Sequence, residues 1–168
     1  MKTLILIALS LWIGLAEAKE SVVTKKGEKT PASSQLVPYD TQQALESFSK
    51  TLHGGIMHII AKSVDNTQQV KLIQSYLRQT AAEYKKGDFS STERFHGSNM
   101  PGLAQMKSAK ADDIRYDYKA LPNGGQIHFS TEYPHLLNAL HQWFDAQIQE
   151  HGSATLPDHD GHHGSPAE

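Results

Sequence analysis

The 168-residue chain contains no cysteine. That excludes disulfide staples, thiolate-bound zinc and a cysteine nucleophile. Stability must come from a packed core, from association, or from a metal held by imidazole, thioether and carboxylate groups. A surplus of one charge is missing too: sixteen lysines and arginines stand against eighteen aspartates and glutamates. Such a balance gives nucleic acid or an anionic membrane little to recognise. Beyond Leu15 there is no apolar run long enough to span a bilayer. There is also no internal repeat, no phosphate-binding glycine loop and no serine in a nucleophile elbow. These absences lean against an enzyme.

What is present begins with MKTLILIALSLWIGLAEA. A basic start at Lys2, an apolar centre from Leu4 to Leu15 and the small-x-small pattern Ala16-Glu17-Ala18 read as a signal peptide over residues 1–18. The expected product is exported, periplasmic or secreted, with no membrane span after cleavage. Residues 19–38 are polar and broken by Pro31 and Pro38, as in a flexible leader. Residues 152–168 read as a disordered tail, which leaves a single domain over 39–151.

Within that domain the periodicities alternate. DTQQALESFSKTL, with Asp40 or Thr41 as cap, carries Leu45, Phe48 and Leu52 at helical spacing. After Gly54-Gly55, IMHIIAKS has the β-branched content and length of a strand. DNTQQVKLIQSYLRQTAAEYKKG is a strong helix, with Val70, Ile73, Leu77, Ala81 and Tyr84 on one face and Gly87 as its stop. DIRYDYKA and GGQIHFST alternate as strands joined by the hairpin signal Leu-Pro-Asn-Gly. YPHLLNALHQWFDAQIQEHG closes as a helix, with Leu137, Leu140, Phe144 and Ile148 inward. The expected fold is α+β: a helix followed by β-α-β-β-α. Its small, mostly antiparallel three-stranded sheet would carry helices on one face, as in a truncated ferredoxin-like unit, with the last strand between the other two. The uncovered sheet face would suit a homodimer or a periplasmic protein partner.

Ten histidines are the compositional excess, and they point to a transition metal such as copper, zinc or nickel. His58 and His128 can share one sheet face as a second site, or stand as ordinary strand residues. HGSNMPGLAQM offers His96 and Met100 as ligands of the kind that soft copper accepts. Met106 fits the core better, on a short helix opened by Pro101-Gly102. His141 and Asp145, four residues apart, share a helix face and can act as ligand and orienting acid, or as a plain surface contact. His151 reads as a cation suited to a helix C-terminus. In the tail, His159, His162 and His163 lie among aspartates, as a flexible metal-binding tract or a solubilising one.

The stretches GDFSSTERFHGSNMPGLAQM, DIRYDYKALPNGGQIHFST and LLNALHQWFDAQIQEHG carry a resemblance. It covers roughly residues 65–152, and the chain there resembles a group of small exported bacterial proteins of unknown function. They share the His-Gly before Met-Pro-Gly-Leu, the Leu-Pro-Asn-Gly hairpin, the His-x-Trp-Phe-Asp-Ala-Gln helix and often a histidine-bearing tail. The resemblance implies export and points to His96, Met100 and His141. Members of the group are sometimes labelled aspartate carbamoyltransferase. This chain is too short for that enzyme's two domains and lacks its Ser-Thr-Arg-Thr phosphate loop.

Overall fold

A computed structural model describes residues 36–152. The expected signal peptide, the tail and most of the leader lie outside them. The described residues form an α+β structure with strands β1 (Ala44–Thr51), β2 (Gly54–Ala61), β3 (Arg115–Leu121) and β4 (Gly124–Ser130). The helices are α1 (Thr67–Lys85), α2 (Ser90–His96), α3 (Leu103–Ser108) and α4 (Pro134–His151). The sheet is antiparallel throughout, in the order β1-β2-β4-β3. β4 does lie between β2 and β3. The sheet has four strands, however, and the three-stranded ferredoxin-like description does not hold.

The fourth strand is the segment expected to be helical. Its spacing of Leu45, Phe48 and Leu52 suits a helix, but extended chain puts Ala44, Glu46 and Phe48 on one face instead. A two-residue turn at Leu52-His53 then pairs Thr51 with Gly54 and runs the ladder to Ala44 and Ala61. Pairing with β2 gives both backbones their hydrogen bonds, and tertiary context outweighs a short local pattern. Leu52, which the helix would have buried, is 86% exposed at the hairpin tip. Only a single 3-10 turn, Thr41–Gln43, remains helical, and Asp40 caps it by accepting from the Gln42 amide at 2.8 Å.

The other elements follow their periodicities. Asn66 caps α1 by accepting from the Gln69 amide, and α1 buries Val70, Ile73, Leu77, Ala81 and Tyr84 as expected. α3 buries Leu103 and Met106, so Met106 is a core residue. α4 is rotated from the expected face. It buries Leu136, Leu140, Trp143, Phe144 and Gln147, while Leu137 and Ile148 are only half-buried.

α1 and α4 cover the sheet face that carries Phe48, Met57, Ile127 and Tyr116. The register places Ser47, His58, Gln126 and Lys119 in one row across the opposite face. None of the large exposed apolar side chains lies within a strand. No helix among the described residues is long and apolar enough to cross a membrane.

One close approach sets how the small helices meet α4. Gly102, at φ +76°, precedes α3, and a Cβ there would lie 2.0 Å from the Ala139 carbonyl oxygen. Gly97, at φ +79°, has open space around it. Gly102→Ala combines a left-handed backbone with a backbone clash and should lower unfolding free energy by about 3 kcal/mol or more. Gly97→Ala meets only the backbone term and should lose about 1 kcal/mol. Urea unfolding of the two variants checks this, and equal losses would contradict the packing described.

Candidate metal centre and its cavity

Two helices end at the same point. α2 finishes at His96 and α4 at His151, and each is followed by a glycine with positive φ whose amide closes the last turn. The Gly97 amide donates to the Glu93 carbonyl and the Gly152 amide to Ile148. Glycine at this position is the usual way to stop a helix. Carbonyl-rich C-terminal ends carry partial negative charge, so their convergence favours a cation between them.

The two imidazoles face each other through Nε2, 3.4 Å apart. The outer nitrogen of each meets a carboxylate. His96 Nδ1 donates to Glu150 Oε2, and His151 Nδ1 lies 3.3 Å from Glu46 Oε2. Glu46 reaches the cluster from the covered face of β1 and also accepts from the Tyr39 hydroxyl at 3.1 Å. His96, Glu150 and His151 each offer a ligand atom, and these atoms lie within 4.8 Å of one another. Side-chain exposure is 9% for His96 and Glu46, 22% for His151 and 48% for Glu150, so the cluster runs from the interior to the surface.

These partners constrain the protons. An ionised carboxylate only accepts, so His96 donates from Nδ1 to Glu150 and its Nε2 carries the lone pair of a neutral ring. That lone pair faces His151 Nε2, and the contact is met either by an Nε2–H···Nε2 hydrogen bond or by a metal ion between the two nitrogens. Burial disfavours the cationic form of His96 and lowers its pKa, outweighing the opposing pull of Glu150.

Beneath the pair lies a cavity of about 320 Å³ between the sheet, α1, α2 and α4. Phe48, Met57 and Ile59 come from the sheet, Tyr76 and Tyr84 from α1, and Trp143 from α4. Tyr84 is hydrogen-bonded to Thr92 at 2.5 Å, and desolvation keeps its phenol neutral far above the ordinary range. Burial also pushes the Tyr76 phenol up to about 12.

The other expected ligands have different surroundings. Met100 is buried, with Gln147 Nε2 3.8 Å from its sulfur, and does not line the cavity. His141 donates from Nε2 to the Thr51 carbonyl at 3.0 Å, and Asp145 pairs with Lys50 at 2.6 Å. Together they fasten the end of β1 to α4. His141 sits ten residues before His151 on α4, about 15 Å along the axis. The structure therefore sets His141 apart from the end of α4 and brings His151, Glu150 and Glu46 to His96. His58 and His128 do share a sheet face on neighbouring strands, two residue pairs apart in register, and His58 bonds Gln126 at 2.8 Å. Among the described residues, no third metal-binding side chain joins them. His159, His162 and His163 lie outside the described residues.

Comparison with known protein families, curated proteins and solved structures gives no match.

The lowered pKa of His96 fixes a pH dependence. The unfolded chain binds a proton there more readily, so acid favours unfolding. The stability this residue supplies is intact above the ordinary imidazole value of about 6.5 and is lost as pH falls toward the lower folded value. With chelator present, urea midpoints of the unmodified chain should fall more steeply between about pH 7 and 5 than those of His96→Gln. Parallel profiles would contradict a buried, neutral His96.

Proposed function

We propose that the protein is an exported metal-binding protein whose ordered site is His96 and His151, with Glu150 beside them. The observation that carries this reading is the Nε2–Nε2 separation of 3.4 Å between two rings whose other nitrogens face carboxylates. Two imidazole nitrogens sharing a tetrahedral zinc at about 2.05 Å stand about 3.3 Å apart. Carboxylates that hold the far nitrogen of each ring fix the tautomer and raise ligand basicity, as in carboxylate–histidine–zinc arrangements. Glu150 is near enough to move from orienting acid to ligand.

Imidazole and carboxylate donors without thiolate suit zinc, nickel or oxidised copper better than the soft copper that a histidine–methionine set would take. The balance moves away from thioether ligands because Met100 is buried and does not line the cavity with the pair. Export rests on the signal-peptide pattern at residues 1–18. Zinc at this site would join α2, α4 and, through Glu46, β1, so binding and stability are coupled.

Calorimetric titration of the chelator-treated chain with zinc should show one ordered site. His96→Ala and His151→Ala should each weaken it at least roughly hundredfold, and Glu46→Gln about tenfold. Met100→Leu should leave it unchanged. Replacing His159, His162 and His163 together with alanine should remove only weaker binding. A titration insensitive to His96 and His151 overturns the reading.

A further inference from the structure

Six aromatic rings contribute to the wall of the cavity beneath the pair: Tyr39, Phe48, Tyr76, Tyr84, Phe95 and Trp143. Several of them meet edge to face. Tyr39 meets Tyr76 at 5.4 Å, Phe48 meets Trp143 at 6.4 Å and Tyr84 meets Trp143 at 6.5 Å, with interplanar angles of 65°, 76° and 88°. The wall runs deep, since Phe48, Met57, Ile59, Tyr84 and Trp143 are all buried, and it reaches the surface at Glu150. Close-packed interiors leave few voids larger than a water molecule, and this one, at about 320 Å³, falls at the lower end for small-molecule sites.

The polar groups of the wall are engaged with one another. Tyr84 is bonded to Thr92, Tyr39 to Glu46, and the two imidazoles pair with Glu46 and Glu150. Neither carboxylate is a free counter-charge for a ligand. Burial keeps the Tyr39, Tyr76 and Tyr84 phenols protonated, so their rings carry no charge. No lysine or arginine stands among the described lining residues. A charged ligand entering here gives up water for ring faces that return only part of its hydration. An uncharged aromatic ring gives up little, and rings set at steep angles offer it both partners of an edge-to-face contact.

We propose that this cavity binds a compact, uncharged aromatic molecule, its ring among Phe48, Tyr76 and Trp143. The site does not depend on the metal reading. Rings from β1, α1 and α4 form it, and the aromatic molecule binds with chelator present.

The test compares three probes on the chelator-treated full chain: 2-phenylethanol, 2-cyclohexylethanol and 2-phenylethylammonium. The first two differ in the ring alone, and the third replaces the hydroxyl with a charge. Calorimetry should show 2-phenylethanol binding at least about threefold more tightly than 2-cyclohexylethanol. Its margin over the ammonium ion should be at least about tenfold. Tyr76→Leu, checked for folding by circular dichroism, should weaken 2-phenylethanol at least about threefold and leave 2-cyclohexylethanol within about twofold. Equal or tighter binding of either comparison probe by the unmodified chain overturns the proposal, as does binding of none of the three. A folded Tyr76→Leu chain that keeps the full ring preference overturns it too; if that variant does not fold, the ranking on the unmodified chain decides. Zinc titration of the same preparation reads the metal site separately, so either reading can fail while the other holds.

Discussion

A carboxylate on the covered face of a sheet has to be answered, because an unpaired charge out of water is among the most expensive things a fold can hold. Glu46 is such a carboxylate. Its place on β1 follows from the pairing of β1 with β2, which turns Glu46 and Phe48 inward together. Tyr39 answers one oxygen and His151 the other. His151 then turns its second nitrogen to His96, which leans on Glu150. One strand register thus draws the last turn of α4 and the last residue of α2 to one place.

The resulting row runs carboxylate–imidazole–imidazole–carboxylate. Both helix ends there contribute carbonyl character of the same sign. The cavity behind adds aromatic faces and no basic side chain among its described lining residues.

Much of the fold was legible where patterns are long. The nineteen-residue α1 announced its buried face and its end. The β3–β4 hairpin followed from alternation around Leu-Pro-Asn-Gly, and the position of β4 from the handedness of the crossover. The eight residues of β1 carry a helical spacing, Leu45 and Phe48 three apart, and no apolar alternation, since the strand's inward face is Ala44, Glu46 and Phe48. That single misreading hid Glu46, because a helix built on Leu45, Phe48 and Leu52 would have faced it elsewhere. His96 was visible as a ligand type, and Met106 as core. His151 was legible only as a cation suited to a helix C-terminus, and it is the last residue of α4. The usable signal was the doublet His-Gly at two helix ends, residues 96–97 and 151–152. That two such ends meet, 55 residues apart in the chain, is a property of packing that no local pattern encodes.

The central claim is that His96 and His151 share a cation through Nε2 while carboxylates hold Nδ1. Long-range proton–nitrogen spectra of the histidine rings, recorded on the full chain before and after one equivalent of zinc, test it most directly. The account predicts that zinc shifts Nε2 of His96 and His151 together and leaves a proton on each Nδ1. Zinc-dependent shifts confined to other histidines, with these two rings unmoved, would contradict it.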